Sequence, residues 1–401
     1  RKNQRELLAF FQPTYLSLFR QPADPDLPLR TRETPDPAKA ELGHTAMGGF
    51  EQDRPMDLLS YGEPLVGFYP IKVDAGKGED KELPHAHPKD VPVTDREKAA
   101  SHKKAGSRVG TAAIPYRVPW MATWGGDTSN IVLAASKLGL SCAYLTRVGE
   151  DPFGEGFLSL WKSSGICTDF VQRDSRHPTG LYFVSFRNRK HVLTYYRKDS
   201  AAAHIDPGSF DLSTLSSVKI LHLSGISLAI SRQAREFGLT LMKAAREYGA
   251  LVSFDTNFRP TLWDKGEARQ CFAEIIPPYV DILATTDEEM ELLGWGKDPK
   301  DLPARLSGPR YYLIKLGPRG AYVRSPEEEV LVPSFLVPMV DTVGAGDAFD
   351  AGFLRAFLHS VPLKEASRYA TAVAAMVCTG QGPLEAQPTQ EQVDAFLQNN
   401  P

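Results

Sequence analysis

From Trp124 onward, two kinds of apolar pattern alternate along the chain. Short runs rich in β-branched and aromatic residues read as strands at 141–148, 219–223, 251–255, 280–285 and 311–316. Between them, apolar residues three and four apart read as helices at 126–137, 151–164, 231–248, 265–276 and 287–293. Two further helices, 347–358 and 363–378, close the pattern. A strand that feeds a helix and then another strand pairs in parallel, and a parallel sheet needs helices on both faces. The fold expected is α/β: three layers, α/β/α, around a mainly parallel central sheet. Two runs break the alternation. Residues 180–187 and 191–197 face each other across Asn188, Arg189 and Lys190, a hairpin signal that predicts a small β lid.

A chain of 401 residues can bury a large core, and its formal charge of −3 gives no sign of a nucleic-acid or membrane surface as the main partner. No apolar run is long enough to cross a bilayer. The four cysteines, Cys142, Cys167, Cys271 and Cys378, are far apart and lack metal spacing. They fit a reducing compartment, so a cytoplasmic location is expected. The first residue is Arg1 rather than Met, which leaves room for a start or leader segment ahead of it. Residues 1–55 read as an N-terminal arm, rich in Pro, charge and turn formers after an aromatic segment at 10–19. A single domain is expected over 56–401, opening with a buried strand that continues into an exposed one across 58–68. Lid strands are placed around 62–70, 114–124 and 179–198. Residues 71–113 are charged, apolar-poor and punctuated by Gly and Pro, a surface insertion. His85 and His87 within it lack a third ligand at helical spacing.

The stretch richest in chemistry is Asp341-Thr342-Val343-Gly344-Ala345-Gly346-Asp347. An extended run, 330–340, leads in, and an apolar-periodic helix leaves through Phe349, Phe353, Ala356 and Phe357. Gly344 and Gly346 let the backbone turn tightly and bring N–H groups to an anion. The N-terminus of a helix favours negative charge there. Asp347 would lie beside a bound phosphate, placed to take a proton from an attacking hydroxyl. A plain helix cap is the competing reading.

Other polar clusters fall where strands end, the edge at which open α/β sheets bind ligands. Gly125-Gly126-Asp127, with Asn130 one turn on, suits a polyhydroxy ligand or a tight turn with an N-cap. Tyr195-Tyr196-Arg197 ends the lid hairpin, and Arg197 offers a fork for a carboxylate, although both types are ordinary hairpin residues. Asp255 to Trp263 crowds Asn257, Arg259 and Pro260 into one exit loop. Glu289 follows Thr286, Asp287 and Glu288, as a helix-capping acid or as a Mg²⁺ contact through water. Lys315, Gly317 and Gly320 form a strand and turn that is a weak signal alone.

The Gly-Gly element at 125–126 and the element at 341–347, in this order, resemble the two signatures of the PfkB (ribokinase-like) carbohydrate kinases. The resemblance covers about 57–395. Within that family the chain is most similar to 2-keto-3-deoxygluconate kinases, through 125–130, 178–182, 195–202, 222–226 and 254–263. The resemblance implies a ribokinase-like fold and transfer of phosphate from MgATP to a sugar hydroxyl. Asp347 would be the base, with Gly344, Ala345 and Gly346 as the anion hole. Arg197 and Arg259 would hold the substrate's carboxylate; Tyr182 and Tyr195 would line the sugar pocket, with Gly125, Gly126 and Asn130 on the hydroxyls. Asn257, Lys315, Gly317 and Gly320 would border ATP. Glu289 would face Mg²⁺, and a K⁺ ion would sit near Asp341 and Gly382. A homodimer through the lid is also implied. Thr286 stands where the family often has Asn, and the insertion replaces a short connection. A kinase for fructose, another neutral sugar or a nucleoside is the nearest alternative; a catalytically silent, kinase-like scaffold in a complex is the more distant one.

Overall fold

The computed structural model of the chain describes residues 55–70, 119–187 and 190–401. The arm and the insertion, with His85 and His87, lie outside these residues. Nine strands form one sheet in the order β13-β12-β11-β10-β9-β8-β1-β4-β5. They are β1 (Met56–Tyr61), β4 (Cys142–Gly149), β5 (Val171–Asp174), β8 (Val218–Ser224), β9 (Leu251–Asp255), β10 (Ile282–Thr286), β11 (Tyr311–Lys315), β12 (Ala321–Arg324) and β13 (Glu329–Val332). Pairing is parallel throughout except at β11–β12 and β12–β13.

Alternation along each strand builds two cores, one on each face. On β1, Leu58 packs with one cluster and Leu59 with the other. The first face carries α1 (Asp127–Lys137), α2 (Pro152–Ser163), α5 (Ala345–Leu358), α6 (Leu363–Val377) and α7 (Gln390–Asn399). The opposite face carries α3 (Arg232–Tyr248) and α4 (Asp287–Leu293), with short helical turns between. Because both faces are covered, the central strands are apolar on both sides, and that is why they read as continuous hydrophobic runs.

Four strands form the second sheet, in the order β3-β2-β6-β7: β2 (Leu65–Pro70), β3 (Trp120–Gly125), β6 (Gly180–Arg187) and β7 (Lys190–Tyr196). The lid expected from the hairpin is therefore present, and β2 adds to β6 in parallel.

The pattern misses several elements. The run at 58–68 is two strands in two sheets, parted at 62–64, and the second is mostly buried rather than exposed. The extended run at 330–340 is a strand only to Val332, because no neighbouring strand offers hydrogen bonds to the rest. The helix expected over 265–276 is an α-helix only to Gln270 and then widens into a π turn, Cys271–Ile275. Strand β5 is four residues long, too short to show a period, and α7 is an exposed helix with one buried residue, Val393.

Candidate active site

The carboxyl ends of β9, β10 and β11, the N-terminus of α5 and the lid enclose one cleft of about 590 Å³. Tyr69, Tyr182 and Tyr195 close the lid side, while Asp127, Asn130, Asn257, Arg259, Lys315 and Asp347 approach from the sheet side. Gly344, Gly346, Gly126, Arg197 and Glu289 also line it. Residues as far apart in sequence as Tyr69 and Asp347 thus share one space, as the switch-point rule for open α/β sheets predicts.

The start of α5 forms the floor. Gly344 is its N-cap, in left-handed backbone with φ 82°, and a Cβ there would lie 2.7 Å from Cβ of Pro383. Only glycine meets both conditions. The first turn of a helix leaves N–H groups without intrahelical acceptors, so the glycines of this turn can offer donors to the cleft, while the Ala345 N–H is spent on Thr342 O at 3.2 Å. Asp347 stands beside them, half-buried. Asn130 Nδ2 donates to Asp347 Oδ2 at 2.7 Å. Burial, and then the Asp127 carboxylate, push the Asp347 carboxyl up to about 7, while Asn130 and Lys315 pull against them. A base that titrates near neutrality is suited to taking a hydroxyl proton.

Lys315 borders this floor. Its Nζ donates to Asp255 at 2.8 Å and Asp350 at 3.0 Å, and lies 3.5 Å from where a Cβ of Gly346 would stand. Burial opposes the charge, but the two carboxylates outweigh it and hold the ammonium well above the ordinary lysine range. In return, Asp255 lies below the ordinary carboxylate range despite its burial. Burial leaves Asp350 well above that range. Asn257 donates to Asp127 at 2.9 Å and has left-handed backbone at φ 32°, local strain of the kind found at binding sites.

The two arginines differ. Arg259 sits at the rim with its side chain 46% exposed, donating to Phe258 O at 3.2 Å and lying 3.5 Å from Glu289. Arg197 is buried and donates to Glu63, a carboxylate that sequence reasoning overlooked. Glu63 also accepts from Ser200 Oγ at 2.5 Å. The only advance signal for Glu63 was a charge set inside an otherwise apolar run. Asp350 was overlooked as well; it lies one turn beyond Asp347.

Glu289 is spent on the protein. Its oxygens accept from Thr256 Oγ1 at 2.7 Å and Phe258 N–H at 2.8 Å, and it closes a capping box with Thr286. In the structure it caps α4, and both of its oxygens are taken up by protein donors. Among the described residues no cluster of three or more acidic, His or Cys side chains forms a metal cage. Such a donor set suits a cation that arrives on phosphate oxygens, as Mg²⁺ commonly does.

Six expected site residues lie off the cleft lining, Ala345 among them. Gly125 is buried behind Gly126, and Gly320 serves packing, since a Cβ there would lie 1.9 Å from Val332 O. Gly317 is open, with nothing within 4 Å of where a Cβ would stand. Asp341 accepts from the Gly382 N–H at 2.9 Å, so these two do meet, as a hydrogen bond beneath the floor.

An acid at the mouth of a late helix, glycine donors beside it and a lidded cleft at the sheet edge together define a phosphotransferase of the sugar-kinase class. The chain belongs to the pfkB family of carbohydrate kinases, whose profile spans residues 120–390. It is 33% identical over 281 residues to the 2-dehydro-3-deoxygluconokinase of Thermoproteus tenax, covering 68% of this chain and 84% of that one. It is 32% identical over 288 residues to probable fructokinase-4 of Arabidopsis thaliana, covering 69% and 88%. A putative ribokinase II of E. coli, solved in complex with ATP and Mg²⁺, has the same fold, with a TM-score of 0.70, 22% identity, and coverage of 86% of this chain and 99% of that one. No helix among the described residues is long and apolar enough to cross a membrane.

Proposed function

We propose that the protein transfers the γ-phosphoryl group of MgATP to the primary hydroxyl of a keto sugar acid, 2-keto-3-deoxygluconate. The observation that carries the reading is Asp347, a base titrating near neutrality, set against the glycine donors of α5 in the same cleft as two arginines. Asp347 takes the proton of the sugar hydroxyl as its oxygen bonds to phosphorus, and the bond from phosphorus to the ADP oxygen breaks. The transition state is loose, so placement and charge dominate. Each amide donor contributes about 3 kcal/mol and the base a factor of about 10²–10⁴. Mg²⁺, carried on the phosphates, supplies charge neutralisation. Lys315 and Asn257 lie toward the phosphates, and Tyr182, Tyr195, Gly126 and Asn130 lie toward the sugar. Arg197 and Arg259 face the acid's carboxylate.

The locus proposed for K⁺ is beside Asp341 and Gly382, which share a hydrogen bond of 2.9 Å. The kinase domain spans 56–401, with the arm and insertion as additions. A homodimer through the lid is supported by Met121, Val192 and Tyr196, exposed on lid strands at 39%, 39% and 64%. Four free cysteines fit a cytoplasmic location.

A second reading, a fructokinase, is favoured by one observation: Arg197 already has a carboxylate partner, so the clamp is partly filled. A panel of sugars with coupled ATP consumption separates the two. Higher kcat/KM on 2-keto-3-deoxygluconate than on fructose supports the acid; the reverse order replaces it with the neutral ketose.

A further inference from the structure

Four chain segments cross between the large sheet and the lid: 62–64 into β2, 125–126 out of β3, 178–180 into β6 and 197–200 out of β7. All four meet at Glu63, which is 1% exposed. Its Oε2 accepts from Arg197 and its Oε1 from Ser200. A Cβ on Gly180 would stand 2.9 Å from its Oε1, and one on Gly126 would stand 2.4 Å from its carbonyl oxygen. Two of the lid's glycines are therefore explained by room made for this one residue.

Arg197 reaches the cleft from this knot. A guanidinium has five N–H donors in a rigid fork. One edge goes to Glu63, while Nε is buried and has no acceptor among the described residues. Arg197 also lines the cleft, so an N–H of the fork that Glu63 does not take is the donor it would offer a bound sugar. A sugar carboxylate taking it would share one cation with Glu63, so two anions would face a single positive charge. A hydroxyl or keto oxygen taking it meets no such opposition. We propose that Glu63 sets the cleft's selectivity between acidic and neutral sugars by holding and neutralising Arg197 at the lid hinge. Glu63 is a positioning residue, absent from the cleft lining, and it acts through Arg197. The inference rests on the substrate reading above and refines it: the site takes acids with a restrained preference, and the restraint resides in one buried carboxylate.

The test compares kcat/KM on 2-keto-3-deoxygluconate and on fructose in wild type and variants. Glu63→Gln keeps the shape and an acceptor for Ser200 but removes the charge. The acid-to-neutral ratio is expected to rise on the order of ten-fold, the size of one charge acting across roughly 10–12 Å at an effective dielectric near 20. Glu63→Asp keeps the charge and holds the ratio within about two-fold of wild type. Equal losses on both sugars in Glu63→Gln, or a falling ratio, would overturn the inference, since a purely structural role moves both substrates together. A lone buried Arg197 can unfold the lid, so the double variant Glu63→Gln/Arg197→Gln, which leaves no unpaired charge, is the second arm. Its ratio is expected to fall at least about ten-fold below wild type; an unchanged ratio also overturns the inference. Wild-type turnover separately tests the substrate reading. If wild type takes only fructose, that reading fails, and the role of Glu63 is then judged by whether acid turnover appears in Glu63→Gln.

Discussion

Asp347→Asn is expected to make the protein more stable and nearly inactive, and the gain in stability should depend on pH in one direction. In the folded chain the Asp347 carboxyl lies at about 7, against an ordinary 3.8. Below about pH 4 both folded and unfolded chains hold the proton, and the residue has no linkage effect. As pH rises, the unfolded chain ionises freely while the folded site resists, so stability is lost between about pH 4 and pH 7 and the loss then levels off. The full penalty is at most about 4 kcal/mol, and roughly 3 kcal/mol of it accrues between pH 5 and pH 8. Asparagine carries no such penalty, and its oxygen still accepts from Asn130 Nδ2. For an ordered region of this size that difference corresponds to about 5 °C in Tm. The assay is thermal unfolding of both proteins at pH 5 and pH 8, paired with coupled turnover. Turnover should fall at least about 10²-fold in the variant, and wild-type kcat/KM should drop about ten-fold per pH unit below 7. An equal Tm gain at both pH values refutes the proposed origin of the raised proton affinity. Near-normal turnover in the variant removes Asp347 from the mechanism.

The arginines separate by location. Arg259→Ala at the rim should lower kcat/KM on the acid about ten- to one-hundred-fold and leave fructose within about three-fold, as for a lost charged hydrogen bond. Arg197→Ala should also cost about 3–5 kcal/mol of stability by stranding Glu63, measured by denaturant unfolding. Equal losses on both sugars in Arg259→Ala would reject a carboxylate contact there. The lid dimer is checked by sedimentation at micromolar concentration, with Tyr196→Glu expected to shift the chain to monomer; a wild-type monomer would dismiss it.

Much of the site was legible as local pattern. Gly344 to Asp347 announced themselves because a tight turn, a helix start and an acid are all short-range features, and Arg259 did so as one of a run of polar groups after a strand. The strand–helix alternation determined the layered architecture, because a covered parallel sheet imposes its period on every segment. Tertiary structure alone decided which charges meet. Lys315 reads as a strand residue, and only the folding of β9 and α5 around β11 brings Asp255 and Asp350 to its ammonium. Arg197 reads as a free clamp, and only the crossing of four segments at the lid hinge gives it Glu63, 134 residues earlier. Local sequence fixes backbone conformation within a few residues, whereas a buried ion pair depends on packing between elements that sequence order leaves far apart.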